Sequence, residues 1–216
     1  MAELWIIRHG QASYGAADYD RLSQIGQHQS ALLGAALRER GWVPDRVVTG
    51  TLRRQIETLK AMGFDGAAEA HAGFNEYDHA DLLKSRLKDD GGPAQSQDRK
   101  AHFRLLRESV LAWQRDELEG ATETWRAFAA RVEAARRFAT RPAAKRVLVV
   151  SSGGVIGQMV AASLAAPAAQ MMQLNLQVKN ASITRFVFTQ GAFSLHEFNA
   201  TPHLDRSDRA KFLTYS

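Results

Sequence analysis

The sequence predicts an α/β protein, a three-layer αβα sandwich with a mostly parallel central sheet and an antiparallel edge strand. Three observations predict it. Short apolar runs of strand length alternate with longer stretches in which apolar residues recur at helical spacing. Several runs end in glycine or small hydroxyl residues that lead into the next helix. The last two runs are joined by Gln190-Gly191-Ala192, a hairpin-like link that makes an antiparallel edge. With 216 residues and no internal repeat or linker, the chain reads as one domain over 1–216, large enough to bury a sizeable core.

Leu4-Trp5-Ile6-Ile7 is a buried strand that stops at Arg8-His9-Gly10. A helix follows from Leu22 to Arg40, with Leu22, Ile25, Leu32, Leu33 and Leu37 near a 3.6 period and Gly41 as its stop. Arg46 to Thr49 is the second strand, and Thr51 to Met62 the second helix, with Leu52, Ile56, Leu59 and Met62 on one face. Ala68 to Ala72 reads as a short third strand. The polar stretch from Lys88 to Gln97 reads as a loop, either a lid or a disordered segment. Two long helices are expected at 100–118 and 123–140, the second broken by Arg141-Pro142. Arg146 to Val150 is the clearest strand. It ends in Ser151-Ser152-Gly153-Gly154, followed by a helix from Val155 to Leu164 and another opened by Pro167. Ser182–Thr189 and Phe193–Phe198 are the hairpin strands. Residues 75–125 read as an insertion over the carboxyl ends of the strands. Trp113, Trp125 and Phe128, at helical spacing, fit a core better than an interface, and the oligomeric state stays open, a homodimer included.

Composition excludes several functions. There is no cysteine, hence no disulfide scaffold, thiolate zinc site, iron–sulfur cluster or cysteine nucleophile. The apolar runs are far too short to span a membrane, and the N-terminus is no signal peptide, so a cytoplasmic protein is expected. The net charge is +5, and residues 98–146, with 12 basic and 7 acidic side chains, carry all of it. Acidic and apolar residues interrupt that stretch throughout. It reads as a solvated helix face rather than a docking surface, and nothing in it resembles a nucleic-acid platform.

In an open parallel sheet, ligands bind beyond the carboxyl ends of the strands. Here those ends carry Arg8-His9-Gly10, Thr49-Gly50-Thr51 and Ser151-Ser152-Gly153-Gly154, and Arg54 lies one turn into the helix after the second of them. Arginine forks match phosphate oxygens, and glycines before a helix expose backbone N–H groups to an anion. The residues therefore describe a phosphate pocket with a histidine in it. That histidine is a general acid, a nucleophile or a hydrogen-bond donor. No metal or other cofactor is expected, because arginines supply the positive charge and no metal-ligand spacing is seen.

In this setting the chain resembles the histidine phosphatase superfamily, in its phosphoglycerate-mutase-like branch. Arg8-His9-Gly10 matches the signature tripeptide, and Asp20-Arg21-Leu22-Ser23-Gln24-Ile25-Gly26-Gln27 resembles the segment that opens the first helix. Thr51-Leu52-Arg53-Arg54 with Thr58 resembles the second-arginine motif, and Phe74-Asn75-Glu76 falls at the acidic proton donor. Val147–Gly154, Asn180–Ile183 and Asn199–Leu204 resemble later segments. The resemblance implies a phosphohistidine mechanism, with His9 as nucleophile and Arg8 and Arg54 binding the phosphoryl oxygens. Glu76 would protonate the leaving group, and Ser152 and Gly153 would line the phosphate site. One departure matters. The family's second histidine is replaced by Ser152, a shorter and uncharged donor. Losing one preorganised donor costs about 2.7–4 kcal/mol, or roughly 10²–10³ in rate, unless a group such as His203 or His79 compensates. The implied activity is hydrolysis of a small phosphate ester or a phosphoprotein, at a turnover reduced unless the lost donor is replaced. The alternative is an impaired relative that binds phosphorylated ligands.

Overall fold

The structure, a computed structural model, describes residues 1–13, 20–90 and 99–215. Six strands form one sheet in the order β3-β2-β4-β1-β5-β6. They are β1 (Ala2–Arg8), β2 (Arg46–Thr49), β3 (Glu69–Ala70), β4 (Arg146–Ser151), β5 (Ile183–Phe188) and β6 (Phe193–Ala200). β1, β2, β3 and β4 run parallel, β5 runs against β1, and β6 pairs antiparallel with β5. The predicted sandwich is the observed one.

The strand sequences show why two helical layers are needed. Leu4 and Ile6 of β1, with Val147 and Val149 of β4, feed one apolar cluster. Trp5 and Ile7, with Leu148 and Val150, feed another. Successive side chains of a strand point to opposite faces, so a continuous apolar run demands cover on both. α1 (Gln24–Glu39) and α2 (Arg53–Met62) cover the second face. α5 (Trp125–Ala139), α6 (Gly153–Ser163) and α7 (Ala169–Gln177) supply the first, where α4 (Arg99–Gln114) adds Leu106, Val110 and Trp113. Trp113 and Phe128 are buried with Tyr77 in an aromatic cluster, with ring centroids 5.4–5.7 Å apart, so these rings serve the core.

Several boundaries differ from expectation for local reasons. α1 starts at Gln24 because the Ser23 hydroxyl accepts from Gly26 N and caps it. α4 stops at Gln114, four residues early, where Asp116 turns left-handed at φ 56°. β3 is only Glu69–Ala70. Two helices were not foreseen. α3 (His79–Asp90) is started by the Asp78 carboxylate, which accepts from Ala80 N and Asp81 N at 3.0 Å. α8 (Arg206–Phe212) is capped by Asp205, which accepts from Asp208 N at 2.8 Å. Lys88 to Asp90 thus belong to a helix rather than to the expected loop, and the rest of that loop, from residue 91, lies outside the described residues. No described helix is long and apolar enough to cross a membrane.

Candidate active site

The register of β1 on β4 builds the site. Arg8 pairs with Ser151, so the ends Arg8-His9-Gly10 and Ser151-Ser152-Gly153 lie side by side. The pairing continues one step, with His9 N donating to Ser151 O at 2.9 Å. Gly10 then meets the first turn of α1. A Cβ on Gly10 would stand 2.4 Å from Gly26 O, and one on Gly26 would stand 2.2 Å from Gln11 O. Gly10 N donates to Thr58 Oγ1 on α2 at 2.9 Å, and Asn180 Nδ2 donates to His9 O at 3.3 Å.

The His9 ring is buried, 3% exposed, and its two nitrogens face different partners. Nδ1 lies 2.8 Å from Gly10 O, which only accepts, so Nδ1 carries the proton. Nε2 receives Arg54 Nε–H at 3.1 Å, so Nε2 presents its lone pair. Burial, then the charges of Arg54 and Arg8, hold the imidazole pKa well below its ordinary value, although the bond to Gly10 O pulls the other way. The structure thus holds a neutral imidazole of one tautomer with its free nitrogen beside a guanidinium.

Arg54 stands at the start of α2, as its place one turn beyond β2 led us to expect. Its Nη1 bonds Asp20 Oδ1 at 2.6 Å, and Asp20 Oδ2 accepts from Arg53 N at 2.8 Å. Arg8 Nη1 donates to Val178 O, after α7. A Cβ on Gly153 would lie 3.6 Å from Arg8 Cζ and 2.3 Å from Asn175 Oδ1, so the glycine leaves space for both groups.

Glu76 reaches the start of α6, where its Oε2 accepts from Gly154 N at 2.9 Å. The competing carboxylates nearby are otherwise engaged: Asp78 caps α3, and Asp81 Oδ2 accepts from Thr122 N and Oγ1. From α5, Arg131 donates to Gly73 O and Asn75 O at 3.2 and 2.7 Å, while Glu123 holds its Nε at 2.6 Å. This arrangement fixes the backbone that carries Glu76.

Ser152 is the N-cap residue of α6, yet its side chain makes no capping bond. It is fully buried, and its Oγ accepts from Gln55 Nε2 at 2.8 Å. No bond among the described residues links His203 to His9 or Ser152. Both nitrogens of buried His203 lack partners, and burial together with Arg40 pushes its pKa down to about 4. Arg40 caps the far end of α1, 14 residues beyond Gly26 and so roughly 21 Å away along the helix. His203 therefore does not take the place of the missing histidine.

The structure therefore brings together all six residues singled out from sequence: Arg8, His9, Arg54, Glu76, Ser152 and Gly153. It adds Asp20, Gln55, Asn175 and Arg131. Asp20 sat within a quoted motif, and Gln55 immediately follows Arg54; neither carried a sign of its role.

Over residues 4–201 the chain matches the histidine phosphatase superfamily (branch 1). It belongs to that family. A search of curated proteins finds no match. Among solved structures, a mycobacterial glucosyl-3-phosphoglycerate phosphatase is 24% identical with a TM-score of 0.62, covering 93% of this chain and 99% of that one. A phosphoglycerate mutase from Bacillus anthracis is 19% identical with a TM-score of 0.65, covering 94% of each chain. A mutant phosphoserine phosphatase from Entamoeba histolytica, in complex with phosphoserine, is 20% identical with a TM-score of 0.60, covering 94% of this chain and 100% of that one. At such identities these likenesses show a shared fold.

Proposed function

We propose that this member of the histidine phosphatase superfamily hydrolyses a phosphoric monoester through a phosphohistidine on His9. The observation that carries the reading is the neutral imidazole whose unprotonated Nε2 sits beside Arg54. As the ester binds, Arg54 Nε–H turns from His9 Nε2 to a phosphoryl oxygen. The freed Nε2 attacks phosphorus as the bond to the leaving oxygen breaks, and Glu76 passes its proton to that oxygen. Arg8, Arg54 and the start of α6 bind the other phosphoryl oxygens. Glu76, now a carboxylate, takes a proton from water. The water attacks phosphorus, the P–N bond breaks, and inorganic phosphate leaves a neutral His9. Gly10 O favours the Nδ1 proton throughout, which steadies the positive charge that phosphorylation brings to the ring.

We read the substrate as a small phosphorylated metabolite or a phosphoprotein of the cytoplasm. The named substrates of the structural neighbours support the small-molecule class. Residues 75–125 are proposed as the part of a single domain that shapes the site around the leaving group. Glu76 and Tyr77 begin that stretch, and Tyr77 Oη accepts from Asn175 at 3.1 Å. A second reading, a regulator that binds phosphorylated ligands without turning them over, is favoured by one observation: uncharged Ser152 stands where the family places a histidine. Turnover of para-nitrophenyl phosphate and a metabolite panel, beside His9→Ala, decides between them. Wild-type turnover above His9→Ala is expected. Equal rates, with inorganic phosphate still bound, would leave the regulator.

A further inference from the structure

Ser152 and Gln55 lie 97 positions apart and form a buried pair whose hydrogen atoms can be assigned. Gln55 Nε2 donates to Ser152 Oγ at 2.8 Å and to Phe74 O at 2.9 Å, which uses both of its protons. Gln55 Oε1 accepts from Leu52 N at 3.3 Å. The reverse orientation would set a carbonyl against Phe74 O and an amine against Leu52 N–H, so the network allows one. The carboxamide is also pressed against the end of β2, since a Cβ on Gly50 would lie 1.9 Å from Oε1. Phe74 O accepts a second proton from Ser151 Oγ at 2.7 Å.

The Ser152 oxygen is therefore held by a group that only donates to it. Its own proton has no acceptor among the described residues, and it does not cap α6. It sits at the end of β4 next to His9, two residues before the N–H that holds Glu76. A buried hydroxyl with its lone pair engaged and its proton unused is a donor waiting for an acceptor.

We propose that the Ser152 hydroxyl donates to a non-bridging oxygen of the bound phosphoryl group, and that Gln55 is the positioning residue that keeps it turned toward that oxygen. The inference rests on the phosphate-site reading given above. It explains why a glutamine is buried without solvent contact beside the second arginine. The pair acts as one unit: the serine supplies the proton, and the glutamine decides where it points.

The test is a double-mutant cycle of Ser152→Ala and Gln55→Met, in which methionine keeps the volume and removes the donor. Calorimetry gives the Kd for inorganic phosphate, para-nitrophenyl phosphate gives kcat and KM, and thermal midpoints report folding. Ser152→Ala is expected to weaken phosphate about tenfold, and Gln55→Met most of that amount, with kcat falling more than KM rises. In the Ser152→Ala background, Gln55→Met should add less than about twofold, because no hydroxyl remains to orient. Equal Gln55→Met losses in both backgrounds, or none in wild type, would overturn the proposal. If wild type binds phosphate but turns nothing over, the hydrolysis reading fails while the binding cycle still decides the pair.

Discussion

Arg54 Nε–H points at His9 Nε2, 3.1 Å away, and, with burial and the two arginine charges, it matches an imidazole kept neutral. A protonated imidazole would present N–H to N–H there, with a second guanidinium nearby. In the proposed reaction the nucleophile is thus kept unprotonated by the groups that would bind its target.

It follows that His9 stays neutral where an ordinary histidine takes up a proton. In phosphate-free protein, imidazole ¹⁵N shifts should show His9 as the Nδ1–H tautomer from pH 8 down through pH 6.5. An ordinary imidazole is half-protonated near pH 6.5. Half-protonation of His9 at that pH would refute the assignment.

Gly154→Ala should disable Glu76 without emptying the phosphate site. The added Cβ would lie 2.2 Å from Glu76 Oε1 and 2.5 Å from Tyr77 Cε1, so the carboxylate must leave Gly154 N. We expect kcat to fall about 10²-fold, the usual worth of a positioned acid, while the Kd for phosphate changes less than about threefold. An unchanged kcat would remove Glu76 from the role of proton donor.

Restoring the absent histidine should not work by itself. An imidazole at position 152 would occupy the space of the Gln55 carboxamide, 2.8 Å from Oγ, in a site closed to solvent. Ser152→His is expected to lower both the thermal midpoint and kcat, and Gln55→Ala in the same chain to recover both. A faster and equally stable single variant would show that the space is shared differently.

His203 should make the protein acid-sensitive. Its pKa is about 4 when folded and near 6.5 when unfolded, so above pH 6.5 both states are neutral and nothing is lost. Below pH 6.5 the unfolded chain takes a proton that the folded one refuses, and stability falls until about pH 4. At pH 5 the loss is about 2 kcal/mol. His203→Phe should narrow the difference between the unfolding free energies at pH 7 and pH 5, read from urea curves, by that amount, and an unchanged difference would contradict it.

The sheet was legible because β1 and β4 are unbroken apolar runs, which no other placement would bury on both faces. The gathering of the candidate residues was legible for the same reason: Arg8, His9, Ser152 and Gly153 sit where those runs end, and Arg54 sits one turn beyond another. α3 and α8 escaped because they are charged helices with few apolar positions. Their signal was the pair of aspartates three apart, Asp78-x-x-Asp81 and Asp205-x-x-Asp208, at the cap. Asp20, Gln55 and Arg131 escaped for a deeper reason. Each acts through a hydrogen bond to a residue 34, 97 or 56–58 positions away, and no period along the chain records such a bond.

The interlocked glycines at the end of β1 bear on selectivity. With Gly10 wedged against Gly26, and Gly26 against Gln11, the backbone at His9 has no slack, and in the proposed reaction it could not follow a phosphoryl group. Phosphorus must travel to within about 3–3.5 Å of a stationary nitrogen, in line with the bond to be broken. The reach of the ester then becomes the filter. In that reaction a phosphoryl group on a slender stem would arrive, and one crowded by its own carrier would stop short, whatever its affinity for the arginines.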